Sequence, residues 1–215
     1  VSDLVIDRPR LRGALHARAL PIVVPAMAVL VAGAPSGAMQ VAVATYAVAT
    51  IGLLTVSTAY HRGTWDPVQL RRWKTADHVA IFIAIFANWC PVAVTMLSPR
   101  AATTFLVSLG FACAVGAAIK VRHLTRPGGI VDVLYAATTW SGALLLPTLV
   151  HLMSPIELAL LMVGLAGYAL VGLTMTINAP NPIPGVYGFH EVAHTIGLIA
   201  LSCHYLLFLM LCGLL

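Results

Sequence analysis

Seven stretches of this chain are apolar for about as long as a helix needs to cross a bilayer, and they limit its possible folds more than any other feature. A hydrocarbon core about 30 Å thick takes roughly 20 apolar residues in a helix, with a range of about 17 to 25. Spans of this kind run from Ala19 to Gly33, Ala38 to Tyr60, Ala76 to Leu97, Ala101 to Val121, Ile130 to Val150, Ile156 to Ile177 and Phe189 to Leu215, the first being the shortest. Between them lie "GAPSG", "SPRA", "RPGG", "MSP" and "NAPNPIPGVYG", segments rich in helix breakers. The predicted fold is an all-α, seven-transmembrane helix bundle over 19–215, preceded by an N-terminal segment, 1–18. No internal repeat, low-complexity tract or linker marks a second domain.

Composition agrees. Of 215 residues, 60% are hydrophobic and only 9% charged, where soluble domains carry about 25% charged residues. The net charge of +5 is scattered in short pieces between apolar runs, which fits membrane topology and argues against a nucleic-acid partner. Cys90, Cys113, Cys203 and Cys212 all lie inside apolar runs without paired metal spacing, so they read as packing residues. The opening "VSDLVIDRPRLRGALHARAL" is mixed and polar, and no cleaved signal is expected from it.

Lysine and arginine are enriched in cytoplasmic loops. Arg8, Arg10, Arg12 and Arg18 precede the first span; Arg62, Arg71, Arg72 and Lys74 follow the second; Lys120, Arg122 and Arg126 follow the fourth. All fall on one side, and only Arg100 falls on the other. The N-terminus is therefore predicted to be cytoplasmic and the C-terminus outside, the reverse of rhodopsin-like receptors. A plasma-membrane location follows, the inner membrane if the source is bacterial. Trp65, Trp73 and Tyr187 read as interfacial anchors, and Arg71, Arg72 and Lys74 as contacts to anionic headgroups.

Ionisable groups inside a bilayer are costly, so each is a functional hypothesis. His61 ends the second span, Asp77 and His78 begin the third, and His190 and His194 open the seventh. All reach the same membrane level, whereas His151 lies at the opposite end. His190 and His194 are four apart, hence on one helix face, a spacing that suits two imidazoles on one zinc. His61 supplies a third, which leaves the fourth position of a tetrahedral ion open, as in catalytic sites. Ser57 lies one turn deeper than His61 on the same face, placed to donate to an oxyanion, and Asp77 is placed to take a proton from water.

Other polar groups have plainer readings. His204 lies about 21 Å beyond His190 along the helix, too far to share its metal, and is read as a buried hydrogen-bonding residue or part of a substrate cavity. His16 and His123 sit among basic residues and join no constellation. His78 is read as facing away from the site, and Asp132 as a helix-start carboxylate favoured by the macrodipole.

"STAYHR" in the second span, "TADHVAIFIA" in the third, and "GFHEVAH" followed by "SCHY" in the seventh together resemble the haemolysin III family. This is the bacterial branch of the progestin and adipoQ receptor group, related to adiponectin receptors and more distantly to alkaline ceramidases. The resemblance implies zinc ligands at His61, His190 and His194, with Ser57 and Asp77 as the accompanying serine and aspartate. It also implies a lipid-accessible cavity, membrane lipids as partners, and hydrolysis of a lipid amide or ester. Many bacterial members continue the third span with glycine, threonine and tyrosine before the proline, where this chain has "FANWCP".

Three other functions compete with a zinc-dependent lipid hydrolase. One is a cytolysin, suggested by the family name; its pore would need polar residues along several helices, and here they cluster at one end. Another is a receptor or sensor in which zinc is structural. The last is an intramembrane peptidase, because "HEVAH" matches the H-E-x-x-H pattern with Glu191 as base.

Overall fold

In the computed structural model, which describes residues 9–122 and 130–215, every predicted span is helical. The spans are α1 (Ala14–Gly33), α2 (Ala38–Arg62), α3 (Pro67–Met96) and α4 (Pro99–Arg122), then a fifth made of α5 (Ile130–Thr139), a 3-10 stretch (Trp140–Leu145) and α6 (Leu146–Leu152). α7 (Pro155–Ile177) and α8 (Phe189–Leu211) complete the bundle. Among the described residues, seven helical spans are long and apolar enough to cross a membrane. Arg8, His123 and Arg126 lie outside the described residues, as does the side chain of Asp132.

Two helices begin earlier than the apolar runs do. α1 starts at Ala14, directly after Gly13, whose φ of 71° is a left-handed conformation that suits glycine. The boundary between residues 18 and 19 thus falls inside a helix. α3 starts at Pro67 because Asp66 caps it: the Asp66 carboxylate accepts from the amides of Val68 (2.8 Å) and Gln69 (2.9 Å), and Pro67 needs no partner at the first helical position. Hydropathy locates the lipid-embedded part of a helix, whereas capping locates its start.

Helices in a membrane must bury their polar atoms inward and turn apolar side chains to lipid. Ile22, Val48, Phe111 and Leu144 accordingly project outward, while Tyr46, Phe82, Trp89, Leu207 and Phe208 are fully buried. Tyr46 and Phe208 meet edge-on at 4.7 Å between α2 and α8. α8 packs most closely on α7, where small residues let the backbones approach. A Cβ added at Gly167 would lie 2.9 Å from the Ala200 Cβ. In the fifth span, the 3-10 stretch wraps Trp89: its indole Nε1 donates to the Thr139 carbonyl (3.2 Å), and Gly142 leaves room for the ring. The carbonyl freed at the helix break is thereby satisfied.

Candidate metal centre

The last turn of α2 and the first two turns of α8 meet at one end of the bundle. α8 begins with two leading amides satisfied by side chains. The Glu191 Oε2 reaches back to the Gly188 amide (2.9 Å), and the Asn181 Oδ1 takes the Phe189 amide (3.0 Å). This start places His190 and His194 on successive turns facing α2. His61 is buried opposite them.

The three imidazoles form one cluster. His61 and His190 bring their Nε2 atoms to 3.1 Å, and one potential ligand atom from each of the three residues lies within 4.8 Å of the others. Ring centroids are 4.6 Å apart for His61 and His190 and 4.5 Å for His190 and His194. Two nitrogens bound to one tetrahedral zinc at about 2.0–2.1 Å stand about 3.4 Å apart, so little rotation would bring this pair onto one ion. The buried Nδ1 of His194 has no hydrogen-bond partner. The donor set is all imidazole, which suits zinc and other first-row ions alike. The group therefore fits a metal ion without fixing its identity.

Ser57 and Asp77 are both buried, on α2 and α3, and lie close enough to interact. Ser57 is one turn from His61 on α2, so a polar track runs from the imidazoles to α3. The His78 Nδ1 lies 2.7 Å from the Lys74 carbonyl, and the His78 backbone carbonyl accepts from the Tyr135 hydroxyl (3.0 Å).

Two residues differ from their sequence reading. His16 does join the constellation. It is buried in α1, and its ring stacks on that of His194 with centroids 4.0 Å apart and planes 11° from parallel. The start of α1 at Ala14 rather than Ala19 brings it to this level, and the left-handed Gly13 just before it was the available signal. Glu191 takes a structural role in place of the peptidase base that the H-E-x-x-H pattern offered. It is fully buried, caps α8 with one oxygen, and sets the other 2.7 Å from the Arg12 Nε. The latter contact misses hydrogen-bond alignment, so its attraction is that of an ion pair. A carboxylate held at both oxygens is poorly placed to serve as a peptidase base.

His204 is a buried hydrogen-bonding residue, the first of its two sequence readings. Its Nδ1 lies 2.8 Å from the Asn88 Oδ1 and its Nε2 3.2 Å from the Leu161 carbonyl. A neutral ring meets both if Nε2 carries the proton and Asn88 turns its NH2 toward Nδ1. Gly164 lies against this ring, where any Cβ would overlap it. Gly164→Ala is expected to push His204 off both partners and destabilise the protein by about 3 kcal/mol, at the upper end of overpacking costs. The yield of monodisperse protein after gentle heating in detergent checks this.

The family model described as haemolysin-III related matches residues 4–205. No solved structure matches the chain.

Proposed function

Because this chain belongs to the haemolysin-III related family and is a multi-pass membrane protein, we propose that it is a zinc-dependent hydrolase of a lipid amide or ester. His61, His190 and His194 would hold the ion, and the positive-inside bias supports a site at the cytoplasmic face. The observation that carries the reading is the buried Ser57 and Asp77 pair, in which Ser57 lies one helical turn from His61 of the three-imidazole cluster. A receptor or sensor that used the metal only as a staple would not need a buried proton acceptor beside it.

Zinc bound to three imidazoles supplies Lewis acidity, polarising a carbonyl and making water acidic near neutral pH. The chain's own residues supply the rest. The Asp77 carboxylate accepts the proton released by the attacking water. Ser57 holds that carboxylate in place. Once Asp77 carries the proton it can donate to the serine oxygen, leaving the Ser57 hydroxyl to donate to the developing oxyanion. The proton on Asp77 then passes to the departing amine or alkoxide.

An apolar groove of about 780 Å³ on the outer face of α2 and α3 supports a lipid substrate. It passes Val48, Gly52, Val56, Ala76, Ala80 and Ile83. Val56 and Ala76 are the immediate neighbours of Ser57 and Asp77, so an acyl chain in the groove would carry its carbonyl to the level of the pair.

The test is hydrolysis of N-acyl and O-acyl lipids in mixed micelles by the purified chain. Asp77→Asn is expected to retain metal and lower kcat at least about 100-fold, the lower end of general acid–base contributions. Full turnover by a metal-loaded Asp77→Asn protein would remove Asp77 from the mechanism. Metal retention with no hydrolysis by wild type across both lipid classes would favour the sensor.

A further inference from the structure

The family match and the three-histidine cluster leave the N-terminal residues without a role, yet residues 10–16 are fastened to the site at four places. The Arg10 and Leu11 amides donate to the Gly185 (3.0 Å) and Val186 (3.2 Å) carbonyls in the loop before α8. Arg12 reaches the buried Glu191 between the two α8 histidines. Gly13 passes so close to α2 that a Cβ there would lie 2.7 Å from the His61 Cβ, and its φ of 71° also favours glycine. His16 stacks on His194.

We propose that His16 is a positioning residue of the metal centre, holding the His194 ring by its face, with residues 10–13 as the strap that keeps it there. The inference rests on the metal reading above. His16 is not offered as a fourth ligand. Ring nitrogens present their lone pairs in the ring plane, and two planes 11° from parallel at a 4.0 Å separation direct those lone pairs side by side, not toward a common point. Its value lies in the flat face.

His16 is only 9% exposed and its Nδ1 has no hydrogen-bond partner. Burying a polar atom unpaired is unfavourable, so hydrogen bonding at Nδ1 does not account for the placement. Stacking does, since offset aromatic pairs attract beyond the area they bury. Histidine ligands generally depend on a neighbour to fix ring orientation. That neighbour is ordinarily a hydrogen-bond acceptor on the ring's second nitrogen, and the Nδ1 of His194 has none. The stacked ring from α1 takes its place.

Two apolar replacements of similar bulk separate face from mere filling. In the full chain purified in detergent, Co²⁺ serves as probe, with affinity from chelator competition and ligand-field absorption reporting geometry. His16→Phe keeps a flat face and is expected to bind Co²⁺ within about threefold of wild type with unchanged bands, whereas His16→Leu is expected to bind at least about 10-fold more weakly with shifted bands. Should His16→Leu fail to fold, His16→Gln supplies the same comparison. A non-aromatic variant with wild-type affinity and bands, or a phenylalanine variant as impaired as the leucine one, would overturn the proposal. Wild-type protein that takes up no Co²⁺ would instead overturn the metal reading beneath it.

Discussion

Alanine at His61, His190 or His194 is expected to strip the protein of its metal. Each residue provides one of the three ligand atoms gathered in the cluster among the described residues, and they come from two helices that are distant in sequence. Neighbours that merely orient a ligand contribute about 10–100-fold in metal affinity, so removing a ligand itself is expected to cost more than about 100-fold. Elemental analysis of purified protein should then fall from near one equivalent per chain to a trace for each single variant. The variants should still insert, because span hydropathy is untouched, and they should lose thermal stability to the same extent as chelated wild type, since bound metal stabilises by mass action. Retention of stoichiometric metal by any of the three would exclude that residue as a ligand.

Arg12→Ala is the second change with a large expected effect. It leaves Glu191, whose side chain is 1% exposed, without its cation, and breaking a buried ion pair from one side costs about 3–5 kcal/mol. Arg12 is itself partly exposed, so the lower end of that range is expected. Most of the loss is the desolvation of an unmatched carboxylate, and neutralising it should restore stability. Glu191→Gln added to Arg12→Ala is therefore expected to recover more than half of the deficit, while glutamine still accepts from the Gly188 amide. Denaturation in mixed micelles of the two single variants and the double variant measures the coupling. A double variant less stable than Arg12→Ala alone would show that the pair is not what holds the strap.

The membrane fold was legible because lipid imposes it: runs of apolar residues between breakers leave few alternatives. The three histidines were legible for the same reason, since topology places span ends at one of two levels. Legibility failed where polar residues continue a helix beyond the lipid. The first turns of α3 contain "QLRRWK" and were missed by hydropathy, although Asp66, Pro67 and Gln69 form a readable start signal. His16 was missed in the same way, being assigned to a segment outside the bundle when it lies in the first turn of α1. Glu191 was obscured differently. Its motif pointed to peptidase chemistry, and its partner Arg12, in the segment that precedes α1, is chosen by tertiary packing that no local pattern reports. The pairing of Asn88 with His204 is of the same kind.

X-ray absorption at the metal edge of the zinc-loaded wild-type chain tests the central claim most directly. The account predicts a shell of nitrogen and oxygen at about 2.0–2.1 Å, with outer-shell scattering from three imidazoles and no sulfur at about 2.3 Å. Four imidazoles, a thiolate in the shell, or a folded chain that holds no zinc would contradict it.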